Sequence, residues 1–84
     1  MSKHSWHITR KGEEPNVVRH YKWLTKMYLF ILRNPSMFGE RKLTVYDNCK
    51  KVADISWREV VEQVNSGIKE GEARKLLKEA GEKS

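Results

Sequence analysis

Cysteine is almost missing from this chain. Cys49 stands alone in 84 residues, so neither an intrachain disulfide nor a metal site of paired cysteines can form. Long apolar runs are missing too. The most apolar stretch, Met27 to Leu32, is far shorter than the ~20 residues that a membrane span requires. The N-terminal MSKHSWHITRKG has no run of signal-peptide length. Together these absences point to a cytoplasmic protein that does not act in a membrane. No nucleophile elbow, phosphate loop or paired-carboxylate signature occurs, and the chain is short for an enzyme with a deep pocket. A protein that is not an enzyme and carries no cofactor is the expectation. Acidic residues are scarce in one half only: residues 1–42 hold nine Lys or Arg against three Glu, while residues 43–84 hold eight bases against eight acids.

What is present is a basic single domain. With 38% apolar and 33% charged residues the chain reads as globular, and its eight aromatics suffice for a small core. The whole net charge of +6 lies in the first half. A one-sided excess of this kind suits a polyanionic partner.

Ser5 to Lys11 alternates, with Trp6 and Ile8 on one side and His7 and Thr9 on the other, the period of a half-buried strand. Gly12 ends it. Pro15 and Asn16 suit a helix start, and a first helix is expected from about Val17 to Arg33, where Asn34-Pro35 stops it. Pro35 to Glu40 reads as a loop. Lys42 to Tyr46 and Lys51 to Ile55 read as a hairpin turning at Asp47-Asn48. Ser56-Trp57-Arg58-Glu59 is a capping box ahead of Trp57, Val60, Val61, Val64 and Ile68 at helical spacing. Asn65-Ser66-Gly67 breaks that pattern. Gly71 to Ala80 is then a final helix or a continuation, with Leu76 and Leu77 inward and Gly81 suited to its end. The predicted architecture is α+β: a three-stranded, mostly antiparallel sheet in the order β-α-β-β-α, with helices on one face.

On a helix from Val17, the steps of 100° place Arg19, Lys22, Lys26 and Arg33 within about 60° of one another. Leu24, Tyr28, Tyr21, Ile31 and Leu32 fall on the opposite, core side. Trp23, Met27 and Phe30 flank the basic line, so apolar residues wrap most of the helix. Such a helix calls for burial on more than one side. Two readings follow. Bases hold phosphates while Trp23 and Phe30 stack on unpaired bases of RNA or single-stranded DNA. Alternatively, Trp23, Met27 and Phe30 pack against a second copy in a homodimer. Arg10, Lys11, Arg41 and Lys42 flank the helix in sequence and extend the basic surface. Solvated charge and an ordinary core stripe are the plain alternatives to both. The competing functional class is a small accessory protein, such as a phage-type inhibitor or adaptor, that occupies another protein's surface.

His4-x-x-His7 has ligand-like spacing, but residues three apart on a strand face opposite ways and no further ligand lies close in sequence, so no metal site is expected. His20 borders the predicted core. A metal-free ribonuclease built on His20, Tyr46 and an arginine has no support in the spacing. A helix-turn-helix around Gly67 fits poorly, since Gln63 and Glu62 occupy positions where apolar residues are wanted.

Overall fold

The computed structural model describes residues 4–13 and 19–83. Strand β1 (Trp6–Arg10) is followed by α1 (Leu24–Leu32), the short α2 (Pro35–Phe38), β2 (Lys42–Asp47), β3 (Lys50–Ser56), α3 (Trp57–Asn65) and α4 (Glu70–Lys83). The three strands form one antiparallel sheet in the order β1-β2-β3. The predicted α+β architecture is the one observed.

Alternation along the strands sorts the side chains. Leu43, Val45, Ala53 and Ile55 face the helices and are buried, joined by Leu24, Met27, Tyr28 and Ile31 of α1, Val60 of α3, and Ala73 and Leu77 of α4. Leu24, Met27, Tyr28 and Ile31 follow the i, i+3, i+4, i+7 pattern of one helical face. The hairpin turns through Asn48 and Cys49, one residue later than the expected Asp47-Asn48 because Asp47 still pairs with Lys50, and both are at positive φ (52° and 67°), as a two-residue type I′ connection requires. Ser56 caps α3 by accepting from the Glu59 amide at 3.2 Å. Gly67, at φ 72°, turns the chain between α3 and α4.

Four further details differ from the sequence reading. The first helix begins at Leu24, and Pro15, Asn16 and Val17 lie outside the described residues. Pro35 to Phe38 is a short helix rather than loop, with proline at its start where the missing N–H costs nothing. Leu76 is exposed while Leu77 is buried, because neighbours in sequence cannot share a helical face. Finally, α4 continues past Gly81 to Lys83. A Cβ at Gly81 would collide with the Val52 carbonyl oxygen, so this glycine lets the helix lie directly on β3.

Candidate functional site

Strand β1 is an edge strand, and its outer side meets the chain that returns toward α1. The Trp6 amide donates to the Tyr21 carbonyl at 2.7 Å, and the Tyr21 amide donates back to Trp6 at 2.8 Å. Residues around Tyr21 are therefore extended, and the chain is still extended at Trp23 (φ −117°, ψ 129°). Trp23 has no side-chain hydrogen bond to cap α1. The cap comes from α4 instead: Glu70 accepts from the Leu24 amide at 2.8 Å, the Thr25 amide at 2.9 Å and the Thr25 hydroxyl at 3.0 Å. Arg74 completes the arrangement, with Nε 2.8 Å from Glu70. Burial opposes the Glu70 charge, yet these donors outweigh it and hold the carboxyl below its ordinary range.

This path leaves a cavity of about 420 Å³ between the β1 edge and the α1–α2 corner. Aromatic rings build one wall. Tyr21 and Phe30 have centroids 5.6 Å apart, and Phe30 meets Phe38 edge-on at 5.8 Å. The Arg19 guanidinium lies 5.5 Å from the centre of the Phe30 ring, within cation–π range. Arg10 also lines the cavity, gripped at two points by Glu13 (2.9 and 2.8 Å). Among the described residues no carboxylate forms an ion pair with Arg19.

His7 and Thr9 also reach the cavity, though alternation puts them on the sheet face away from Leu43 and Val45. Only 3% of His7 and 7% of Thr9 is exposed. The His7 ring stacks on Tyr46 at 4.8 Å and meets the edge of His20 at 5.1 Å. Among the described residues neither of its ring nitrogens has a hydrogen-bond partner, and neither does the Thr9 hydroxyl. Burial, with the charge of His20 second, pulls the His7 pKa down and favours the neutral ring. His20 is itself exposed, with Nδ1 2.6 Å from the Ser5 hydroxyl.

Beyond Tyr46 the same sheet face is polar. Asp54 accepts from the Thr44 hydroxyl at 2.8 Å and pairs with Lys11 at 3.4 Å and Lys51 at 3.7 Å. The Thr44 hydrogen bond, aided by both lysines, keeps this carboxyl below its usual range against the opposing effect of burial.

The structure thus brings three of the expected phosphate-contacting or stacking residues to one place: Arg19, Phe30 and Arg10, the last already paired with Glu13. The rest are dispersed. Arg19 and Lys22 precede α1, Lys26 is exposed on it and Arg33 is its C-cap, so the four bases do not form a line on one helix. Lys11 is spent on Asp54, while Arg41 and Lys42 are exposed at the start of β2. Trp23 is 47% exposed, with the Arg74 guanidinium 5.6 Å from its ring centre. The stripe expected to meet a second copy is not a surface: Met27 is fully buried and Phe30 is packed against the core.

His4 and His7 serve separate contacts. The His4 Nδ1 lies 2.6 Å from Asp47, and its ring stacks on Trp6. No group of metal-ligating side chains occurs among the described residues, and no helix among them is long and apolar enough to cross a membrane. Tyr21, His7 and Thr9 were missed as site residues. The alternation of β1 held a signal for the two strand residues. Tyr21 had none, because its position depends on a bridge to Trp6, fifteen residues earlier. Comparison with known proteins finds no family model, curated protein or solved structure that matches the chain.

Proposed function

We propose that the protein is a small non-enzymatic nucleic-acid-binding protein that takes RNA or single-stranded DNA at the β1 edge. The convergence of Arg10, Arg19 and Phe30 on one aromatic-walled cavity carries this reading. Guanidinium groups suit phosphate because their planar fork matches its oxygens, and aromatic rings along a cavity wall suit unpaired bases. The net charge of +6 supplies long-range attraction. A duplex is a poorer fit, since its bases are stacked away from a cavity of this kind.

Fluorescence anisotropy with labelled RNA, single-stranded DNA and duplex DNA tests the reading. Both single strands are expected to bind more tightly than duplex and to remain uncut in magnesium and in EDTA. Equal, weak binding of all three, unchanged in Arg19→Glu, would sink it. The alternative is an accessory protein that seats on another protein, for which the exposed apolar side chains Trp23, Leu29, Met37 and Leu76 speak. A negative anisotropy result hands the question to a pull-down in which Trp23→Ala and Leu76→Ala abolish capture.

A further inference from the structure

Of the exposed large apolar side chains among the described residues, Trp23 alone is aromatic. It is also held in place. The Arg74 guanidinium lies over its ring, 5.6 Å from the centre, within cation–π range. Arg74 is itself fixed by Glu70 at 2.8 Å, and Glu70 accepts from the Leu24 and Thr25 amides and from the Thr25 hydroxyl. Charge-assisted bonds therefore tie α4 to the start of α1 and steady the indole beside them. Nearly half of Trp23, 47%, stays exposed all the same. Fixing a side chain costs conformational freedom, and an indole left in water returns little of the burial that a core residue gains. Such a ring is organised for contact with something outside the chain, and tryptophan and arginine are enriched at the energetic centres of binding surfaces.

The chemistry around the ring favours an anion that carries flat, unpaired groups. Lys22, directly before Trp23, is exposed, and the carboxylate at this corner, Glu70, is already engaged by its donors. Position joins the ring to the cavity. Arg19 and Tyr21 line it, and Trp23 follows Tyr21 by two residues. The four residue steps from Arg19 to Trp23 reach at most about 14 Å. Single-strand-binding folds cover about 4–16 nucleotides, so one strand spans both. We infer that Trp23 is a second contact for the strand, an unpaired base stacking on the exposed part of its ring, with Arg74 as the positioning residue that holds the indole. This rests on the single-strand reading above and extends the binding surface from the cavity to the start of α1.

Three variants isolate the claim. Trp23→Ala removes the ring, and Trp23→Phe keeps a smaller one. Arg74→Ala releases the indole while leaving Glu70 its donors on α1. Trp23 and Arg74 both reach solvent, so each variant should fold, which circular dichroism and thermal melting verify. Binding is measured by anisotropy with labelled RNA and single-stranded DNA of about 12 nucleotides, and with a DNA strand of equal length that lacks its bases. In parallel, the three tryptophans, Trp6, Trp23 and Trp57, are replaced by 5-fluorotryptophan and followed by fluorine NMR through the same titrations. Trp23→Phe assigns the Trp23 signal.

Trp23→Ala should weaken binding of the intact strands about 5- to 150-fold, the worth of one stacked base. It should leave the salt dependence unchanged, because the indole is uncharged. Trp23→Phe should recover part of the loss. Arg74→Ala should also weaken binding but add little once Trp23 is gone, since it acts through the ring. Intact strands should move the Trp23 signal, and the strand without bases should not. A Trp23 signal that no strand moves, with Trp23→Ala binding like wild type and Arg19→Glu still weakened, overturns the stacking contact. That result leaves the strand reading standing and returns Trp23 to the protein-partner alternative. Fully additive losses from Trp23→Ala and Arg74→Ala overturn the positioning role of Arg74. No binding of any strand overturns both the contact and the strand reading.

Discussion

Glu70 shows how one side chain can decide where a helix begins. Its carboxylate satisfies two first-turn amides of α1 from forty-odd residues away, a task usually done by the residue just before the helix. Glu70→Gln keeps the shape and one acceptor but loses the charge. It should destabilise the fold by about 1–2 kcal/mol, as loss of a good cap does, measured by urea unfolding near neutral pH. The pH dependence has a definite sign. The folded-state pKa lies below the ordinary 4.5, so the stabilisation is present above that value and is lost as pH falls through the folded value. Wild type should thus lose its advantage over Glu70→Gln in acid. Cys49 offers the opposite case. At φ 67° its Cβ is strained, and glycine adopts that conformation freely. Cys49→Gly should stabilise by about 0.5–1 kcal/mol in the same assay, after allowing for the greater freedom of glycine in the unfolded chain.

At the scale of elements, the late start of α1 relocates the functional surface. Bases that would share a helical face are divided between an extended segment and the helix itself. Arg19→Glu should therefore weaken single-strand binding far more than Lys26→Glu, since Arg19 stands over the Phe30 ring and Lys26 does not line the cavity. Anisotropy with the two single variants decides this, and equal losses would restore the helical surface as the binding face. Contact between α4 and β3 rests on a different feature. Gly81→Ala places a methyl group against the Val52 carbonyl. The helix must then lift, and a cost of about 1–3 kcal/mol is expected from overpacking, read as a lowered melting temperature. Strand binding at physiological temperature should be unchanged, because Gly81 does not line the cavity.

For the whole molecule, the excess positive charge sets how binding responds to salt. If four to six phosphates are neutralised, log affinity should fall with log salt at a slope of roughly −3 to −4, from ~0.7 per contact on single strands. Arg10→Glu with Arg19→Glu should lessen that slope by about 1.4, two contacts' worth, in a salt series on one strand. A slope unaltered by the double reversal would place the phosphate contacts elsewhere on the surface.

Much of the architecture was legible in the residues themselves. Alternation in Ser5 to Lys11 and Lys42 to Tyr46, the strand-like Lys51 to Ile55, turn chemistry at Asn48, the Ser56 cap and the apolar spacing of α3 are local patterns that need only near neighbours. They determined the α+β class, the strand order along the chain and the basic character of the first half. The start of α1, the loss of the basic line and the burial of Met27 were decided by the tertiary structure. Each depends on contacts between residues distant in sequence: Tyr21 pairs with Trp6, Glu70 caps Leu24 and Thr25, and Met27 is enclosed in the core built by strands and helices together. A helical wheel assumes a helix and cannot register an amide donated to a strand or a carboxylate supplied by another helix. For the same reason Arg10, Arg19 and Phe30 could each be singled out from sequence, but only folding places them around one cavity with His7 and Thr9.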